Sequence, residues 1–346
     1  RANGGSWATI LNCPTASRLT RVTARFSSGN GDAHRSSLRQ DDDMIVERQG
    51  CQSGVAPVDW RPRRGIGMKA QEVALGHVAA RCHGPPLDPS LRVTVHFHPD
   101  RTYGCEPLLR VLARDGVYRS QFETGTSNGG LTAFEGGERW RWESGLFRGA
   151  YDNQAPAERP KYGALNTRRS PLGGSLRFGS AHFRLTESTQ ARTTFCYPDS
   201  VFGPEWFGVA SAMGCIGHTH DAVRDVLDDY VEAHVHGPLR LREDVEALVL
   251  DPCFRDTEVE GDALRLGCAV EWHPGLRLRA DVLRANPDYR GALAVELGAA
   301  LARDGWLTAR EIGVAVADGR VDRHVLKHVW HYVAAFGEPG AVGGMG

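Results

Sequence analysis

The chain has 346 residues, of which 41% are apolar and 24% are charged, and its formal net charge is -1. The apolar fraction is sufficient for a core, so disorder over the whole length is excluded. The near-zero charge argues against a protein that holds nucleic acid through phosphates, and no window approaches the roughly 20 apolar residues that cross a bilayer. The eight cysteines are scattered without a CxxC pair, which predicts a cytoplasmic protein with reduced thiols. An exported effector without a recognisable signal peptide is the alternative.

The N-terminal half is predicted to contain a disordered leader followed by helices and strands. Residues 1–55 are rich in Ser, Arg, Gly and Asp and show no hydrophobic period, so we expect a disordered leader. Apolar spacing predicts a helix over 68–82, and alternation predicts a strand over 92–98 with His96 and His98 on its polar face. A short helix from Pro107 to Gly116 and a strand over 117–124 follow.

The rest of the chain is predicted to complete an α+β domain and then a helical module. Residues 135–175 contain many glycines, prolines and arginines, and indicate long loops. Strands are predicted over 176–185, 192–197, 231–235 and 245–250, with a helix over 221–230. After 284 the pattern is helical, with a capping box at Thr308 and Glu311 and a helix over 322–336. We therefore expect an α+β domain over 56–284 and a small helical C-terminal module over 285–346.

Histidine pairs are one candidate source of chemistry. The chain has three His-x-His pairs, which are His96/His98, His218/His220 and His234/His236. On a strand, residues i and i+2 share a face, so such a pair can direct two imidazoles at a metal ion. A metal-dependent hydrolase built on the first and third pairs is one hypothesis. Chance placement of histidines in a chain that contains 14 of them is the alternative.

Glu232 is a second candidate, because alternation places it on the same strand face as His234 and His236. Such a carboxylate can act as a general base or stabilise a cation. The alternative is the solvated face of an edge strand.

A segment rich in hydroxyl groups is the third candidate. The stretch 116–129 contains Tyr118, Ser120, Thr124 and Ser127 among glycines, and these groups can hold an oxygen of a ligand. An ordinary turn also favours these residue types. Together with the aromatic pair Trp140 and Trp142, the segment leaves open a non-catalytic interaction module.

Several segments resemble an uncharacterised bacterial family grouped as a domain of unknown function. They are VTVHFHPDR (93–101), GVYRSQFETGTSNGG (116–130), RPKYGALN (159–166), RFGSAHFRL (177–185), TTFCYPDS (193–200) and YVEAHVHGPLRLREDVEALVLDP (230–252). The resemblance covers roughly 70–340, and it implies no activity.

The order of these pieces is also similar, more remotely, to that of the ADP-ribosyltransferases. This resemblance implies a mixed-sheet core that binds NAD and cleaves its bond between nicotinamide and ribose. Glu232 and Tyr118 would then be catalytic, and the NAD-binding residues would be His98, Arg101, Ser120, Thr124 and Ser127. The late acidic pair of that superfamily is replaced here by Glu232-Ala-His234, so both hydrolysis of NAD and transfer to an acceptor such as a protein stay open.

Overall fold

The computed structural model describes residues 69–125, 132–219 and 225–340. All of them belong to one compact unit. The predicted leader over 1–55 lies outside the described residues.

The described part of the chain contains helices and strands that are mostly short. The helices are α1 (Ala70–Ala79), α2 (Leu108–Asp115), α3 (Gln121–Thr124), α4 (Glu138–Leu146), α5 (Leu241–Asp244), α6 (Glu258–Ala263), α7 (Ala280–Ala285), α8 (Ala292–Leu301), α9 (Ala309–Asp318) and α10 (Arg323–Phe336). The strands are β1 (Val93–Phe97), β2 (Thr102–Tyr103), β3 (Glu106–Pro107), β4 (Val117–Tyr118), β5 (Lys161–Leu165), β6 (Ala181–Leu185), β7 (Thr193–Tyr197), β8 (Trp206–Val209), β9 (Val231–Val235), β10 (Leu239–Arg240), β11 (Val245–Leu250), β12 (Ala269–Trp272), β13 (Arg277–Arg279) and β14 (Trp306–Thr308).

An eight-stranded sheet forms the centre of the fold, with the order β12-β11-β6-β1-β5-β9-β7-β8. Its neighbouring strands are antiparallel, except that β11 and β12 are parallel. The predicted α+β class with a mixed sheet is therefore confirmed.

The two faces of this sheet differ in chemistry because side chains alternate along each strand. One face, called here the apolar face, carries Val95, Phe183, Phe195 and Ala233 and packs against Leu109 of α2. The other, called the polar face, carries buried His96, His182, Glu232, His234 and Thr194. Burial of so many polar groups on one side of the sheet requires that their hydrogen bonds be satisfied locally.

Two groups of helices cover the polar face. Near β7 and β8, helices α1 and α4 pack apolar side chains, among them Val78 and Leu146, against Cys196 and Phe207. Near β1, the α10 residue Trp330 donates from its indole to the Leu176 carbonyl at 2.8 Å. The polar side chains between these two groups are thereby shielded from water.

The C-terminal helices have a hydrophobic core of their own, which contains Leu283, Leu307, Ile312, Val329 and Trp330. The predicted capping box at the start of α9 is confirmed, with the Thr308 hydroxyl accepting from a backbone N–H and Glu311 accepting from the Thr308 N–H. The predicted last helix is also confirmed, since α10 spans Arg323–Phe336 and Gly337 follows it.

Three predicted elements are wrong. The strand over 117–124 ends at Tyr118, because Ser120 and Glu123 form a capping box that starts α3. The loops over 135–175 contain α4 and β5, and α4 escaped detection because it buries two charged side chains, Arg139 and Glu143, beside Leu146. The predicted helix over 221–230 is a turn at its described residues, 225–230.

Candidate functional site

Cys196, Glu232 and His234 form a buried cluster on the polar face. Strand β7 places Cys196 directly opposite Glu232 on β9, and His234 follows two residues later on the same face. One ligand atom from each residue lies within 4.8 Å of the other two. His234 Nε2 is 2.7 Å from Glu232 Oε1, and Cys196 Sγ is 3.9 Å from that nitrogen and 4.0 Å from that oxygen.

Hydroxyl groups of neighbouring residues hydrogen-bond to the atoms of Glu232 and His234 that point away from the cluster. Ser200 Oγ donates to Glu232 Oε2 at 3.2 Å. Thr194 Oγ1 lies 3.1 Å from His234 Nδ1 and 3.0 Å from His236 Nε2. Tyr151 continues this line, because its hydroxyl is 2.7 Å from His236 Nδ1. Both the carboxylate and the imidazole are therefore oriented by fixed partners.

Burial and neighbouring charge set the protonation of the cluster. Burial, together with the nearby Glu232 carboxylate, raises the pKa of the Cys196 thiol well above its usual range. Burial alone would raise the pKa of Glu232, but the hydrogen bond from His234 and the positive charge of Arg139 lower it overall. Asp199, which is also buried, has its pKa raised to about 6 by desolvation and by repulsion from Glu232. The cluster thus contains a protonated thiol beside an ionised carboxylate.

This arrangement fits a metal ligand set better than a nucleophile with its base. A thiol that stays protonated is a poor nucleophile. In a catalytic triad the imidazole uses one nitrogen for the nucleophile and the other for the acid, whereas Cys196 and Glu232 both approach Nε2 of His234. Cysteine, histidine and a carboxylate are all zinc ligands. Metal binding would release the thiol proton.

The residues predicted to act together on NAD lie in different places, and Tyr118 and Glu232 are on opposite faces of the sheet. Tyr118 packs against Phe97 and Phe183, with ring centroids 6.5 and 6.1 Å away. Both of those rings belong to the apolar face. Burial raises the pKa of Tyr118 to about 12.

His98 is also distant from Glu232. The register sets Thr94 level with Ala164 and Ala164 level with Glu232, and His98 comes four residues after Thr94. Strand rise and spacing then separate the Cα atoms of His98 and Glu232 by roughly 15 Å. The His98 ring contacts Trp330 at 5.0 Å between centroids, and Arg101 Nη1 is buried without a hydrogen-bond partner.

The predicted hydroxyl groups are used in local structure. Ser120 Oγ donates to the Pro156 carbonyl at 2.6 Å and accepts from the Glu123 N–H as the cap of α3. Thr124 ends that helix, and its hydroxyl lies 3.3 Å from the Gln121 carbonyl. Ser127 lies outside the described residues. The structure therefore uses Ser120 and Thr124 in α3, and it places His98 far from Glu232 along the sheet.

The histidine pairs on β1 and β9 do not form one site either, because β5 lies between those strands. His96 instead stacks on His182, with centroids 4.9 Å apart. His218 stacks on Trp206 at 3.5 Å, and its partner His220 lies outside the described residues. Of the proposed ligands, only His234 belongs to the cluster.

Two residues of the site, Cys196 and Arg139, were not predicted from the sequence. Alternation in Thr193–Tyr197 places Thr194 and Cys196 on one face, but the pairing of β7 with β9 has no local signal. Arg139 lies in the undetected helix α4, as do the half-buried Trp140 and Trp142.

A family model matches most of the part of the chain that the structure describes. The model of the family described as "Protein of unknown function (DUF3626)" matches residues 92–219 and 212–334. The chain belongs to this family. No curated protein shows significant similarity to the chain.

The DUF3626 match includes all eight strands of the large sheet and the three residues of the cluster. The family description gives no activity. In the part of the DUF3626 chain that the structure describes, no helix combines the length and hydrophobicity needed to cross a membrane.

Proposed function

We propose that this DUF3626 protein is a metal-dependent hydrolase that binds zinc, or a similar divalent transition metal, through Cys196, Glu232 and His234. The observation that supports it is the convergence of three different ligand atoms, all from buried side chains, within 4.8 Å. His234 Nε2 and Glu232 Oε1 are 2.7 Å apart and pair with each other, and a divalent ion would replace this contact by bonds to all three ligand atoms.

The number of ligands favours catalysis over a structural role. Structural zinc sites use four protein ligands, whereas catalytic zinc sites use three and leave one position for water or substrate. Among the described residues, the cluster offers three. Such an ion would act as a Lewis acid and lower the pKa of water.

The surrounding residues would position the ligands and move protons. Thr194 would fix the imidazole of His234 by accepting from Nδ1, which leaves Nε2 for the metal. Ser200 holds the second oxygen of Glu232. Asp199, next to Ser200, accepts from the Tyr230 hydroxyl at 2.5 Å. Desolvation and repulsion from Glu232 raise the pKa of Asp199 to about 6, which would suit this carboxylate to general-base catalysis near neutral pH.

Metal content tests the binding part of this proposal. Purified protein dialysed against zinc should contain about one zinc ion per chain by elemental analysis. Cys196→Ser and His234→Ala should lose most of it, whereas Cys215→Ser should not, because Cys215 is equally buried but lies outside the cluster. Full zinc content in Cys196→Ser, or none in the wild-type protein, would overturn the site.

Chelation tests the catalytic part. We expect hydrolysis of small chromogenic carboxylic and phosphoric esters that stops with a chelator and returns with zinc. Asp199→Asn should reduce kcat by about 100-fold while zinc content stays at one per chain, since general-base catalysis typically contributes 10²–10⁴-fold. Activity that is unaffected by the chelator would refute the metal dependence.

The second candidate function is cleavage of NAD by an ADP-ribosyltransferase-like core, which remains a prediction. The observation that favours it is Glu232, whose lowered pKa keeps a buried carboxylate ionised, as an oxocarbenium-like transition state requires. Incubation with NAD should then release nicotinamide without added metal, and Glu232→Gln should abolish the release. A chelator separates the two candidates, because this reaction would continue in its presence.

The proposed ligand set also bears on the cellular compartment, because it includes a cysteine thiol. A cytoplasmic protein keeps its thiols reduced, and Cys196 must be a free thiol to bind metal. We therefore propose the cytoplasm as the compartment in which the site is loaded.

A further inference from the structure

A second group beside the cluster, the guanidinium of Arg139, lacks a partner for part of its charge. Arg139 is in the first turn of α4, and it is 7% exposed. Its Nη1 atom is buried and has no hydrogen-bond partner. A buried cationic donor left unpaired is costly, because desolvation of a charge is not offset by an acceptor.

The natural partner of Arg139 is already occupied. Glu143, one turn later on α4, accepts from Arg159 Nη1 at 2.6 Å. It also accepts from the Tyr162 hydroxyl at 3.0 Å. Each oxygen of that carboxylate therefore already accepts a hydrogen bond from another residue, and Arg139 Nη1 has no hydrogen-bond partner.

Aromatic rings fix the position of the guanidinium. It lies over the Tyr162 ring at 4.3 Å from the centroid and near the Trp142 ring at 5.4 Å. Stacking covers the plane of the guanidinium, whereas an acceptor would approach its edge, where the buried Nη1 has no hydrogen-bond partner. The orientation of Arg139 is thus set before any ligand arrives.

This guanidinium lies beside the proposed metal ligands. Tyr162 is directly opposite His234 in the sheet, and their ring centroids are 5.2 Å apart. Arg139 and His234 are therefore neighbours of the same ring. The charge of Glu232 also acts on Arg139: burial lowers the pKa of this guanidinium, but Tyr162 and Glu232 raise it overall.

We propose that Arg139 binds the phosphoryl group of the substrate, so that the hydrolase acts on phosphate esters. Guanidinium edges match phosphate oxygens through forked, charge-assisted hydrogen bonds. An anion held there lies next to the cluster that would polarise it. The reaction itself rests on the proposed hydrolase function, whereas binding of the anion by Arg139 does not.

The corresponding reaction is the hydrolysis of a phosphate monoester. The oxygen of water forms a bond to phosphorus, and the bond between phosphorus and the ester oxygen breaks. One proton of the water goes to the departing oxygen, and the other stays on the phosphate. The products are an alcohol and inorganic phosphate, and no redox partner is needed.

Titration calorimetry with inorganic phosphate tests this assignment on the full chain. We expect the wild-type protein to bind phosphate, and Arg139→Gln to weaken binding by about 10- to 100-fold, which is the range for loss of a charged hydrogen bond. Arg141→Gln is the matched control on the same helix, because Arg141 is exposed. Its affinity should equal that of the wild-type protein.

A second variant and a second anion make the test decisive. Arg139→Lys keeps the charge but loses the fork, so it should bind phosphate at an intermediate strength even if Arg139→Gln folds poorly. Wild-type affinity in both Arg139 variants, no phosphate binding by the wild-type protein, or a stronger Arg139-dependent response to acetate would overturn the proposal. Repetition on chelated protein separates the two proposals: Arg139-dependent binding that persists without metal supports the anion site even if the metal site fails.

Discussion

We expect Arg159→Met to lower the free energy of unfolding by an amount that depends on pH. Arg159 is 4% exposed, and the carboxylate that it pairs with, Glu143, is 1% exposed. After the substitution, Glu143 keeps only the hydrogen bond from Tyr162. An ionised carboxylate at this position would lose the cation that hydrogen-bonds to it and keep only the smaller effect of the Arg139 charge. Removal of one partner of a buried pair typically costs about 3–5 kcal/mol.

Protonation of Glu143 sets an upper limit to this penalty. From the unfolded-state pKa of about 4.3, protonating the group costs about 1.4 kcal/mol per pH unit, or about 3.7 kcal/mol at pH 7 and about 1 kcal/mol at pH 5. Burial, opposed by Arg159, already raises the pKa of Glu143 in the folded protein, and loss of Arg159 would raise it further. A carboxyl with a raised folded pKa loses stability as pH rises from its unfolded pKa toward its folded one.

Denaturant unfolding at pH 5 and pH 7 measures the effect. Because the wild-type Glu143 also has a raised pKa, the wild-type protein regains part of the same stability, and the difference between wild-type and variant free energies of unfolding should fall by at most about 2.7 kcal/mol between pH 7 and pH 5. Arg320→Met, which removes a well-exposed pair with Asp318, should show no measurable change at either pH. A penalty for Arg159→Met that is the same at both pH values would refute the reasoning.

Three further substitutions test other parts of the fold. Thr308→Ala removes the cap of α9 and should lower the free energy of unfolding by about 1 kcal/mol; thermal unfolding would contradict this if Tm were unchanged. Gly179→Ala would bring a Cβ atom to 2.2 Å from the Phe97 backbone, so we expect a large loss of soluble, folded protein. A wild-type Tm would contradict this, since it would show that the chain before β6 can move away from the end of β1. Asp199→Asn removes a carboxyl whose pKa is raised to about 6 by burial and by Glu232. The variant should therefore gain on the order of 2 kcal/mol of stability relative to the wild-type protein as pH rises from 4 to 6. A difference in the free energy of unfolding that stays constant across that range would contradict this.

The sequence predicts elements well where local chemistry defines them. Alternation along Val93–Phe97 and Val231–Val235 gives both strands and correctly places Glu232 and His234 on one face. Thr308, Glu311 and Asp322 start α9 and α10 by capping backbone N–H groups. Each of these signals depends on residues within a few positions of one another, which is why a single sequence carries them.

What the sequence does not carry is the pairing of distant strands. Residues 161–165 become β5 and separate β1 from β9, which is why His98 and Glu232 are far apart. Cys196 joins Glu232 only because β7 pairs with β9. Helix α4 is hidden for a different reason, since the side that faces the sheet carries Arg139 and Glu143 in place of the usual apolar stripe.

The hydrogen bonds that link Tyr151 to Glu232 form a chain in which all the donors point the same way. With one hydrogen per contact, Tyr151 donates to His236, His236 to Thr194, Thr194 to His234 and His234 to Glu232. If Nε2 of His234 is given to another partner, its hydrogen moves to Nδ1, and every donor in the line becomes an acceptor. The direction of the Tyr151 hydrogen bond, at the far end, would then depend on whether His234 Nε2 has bound another partner.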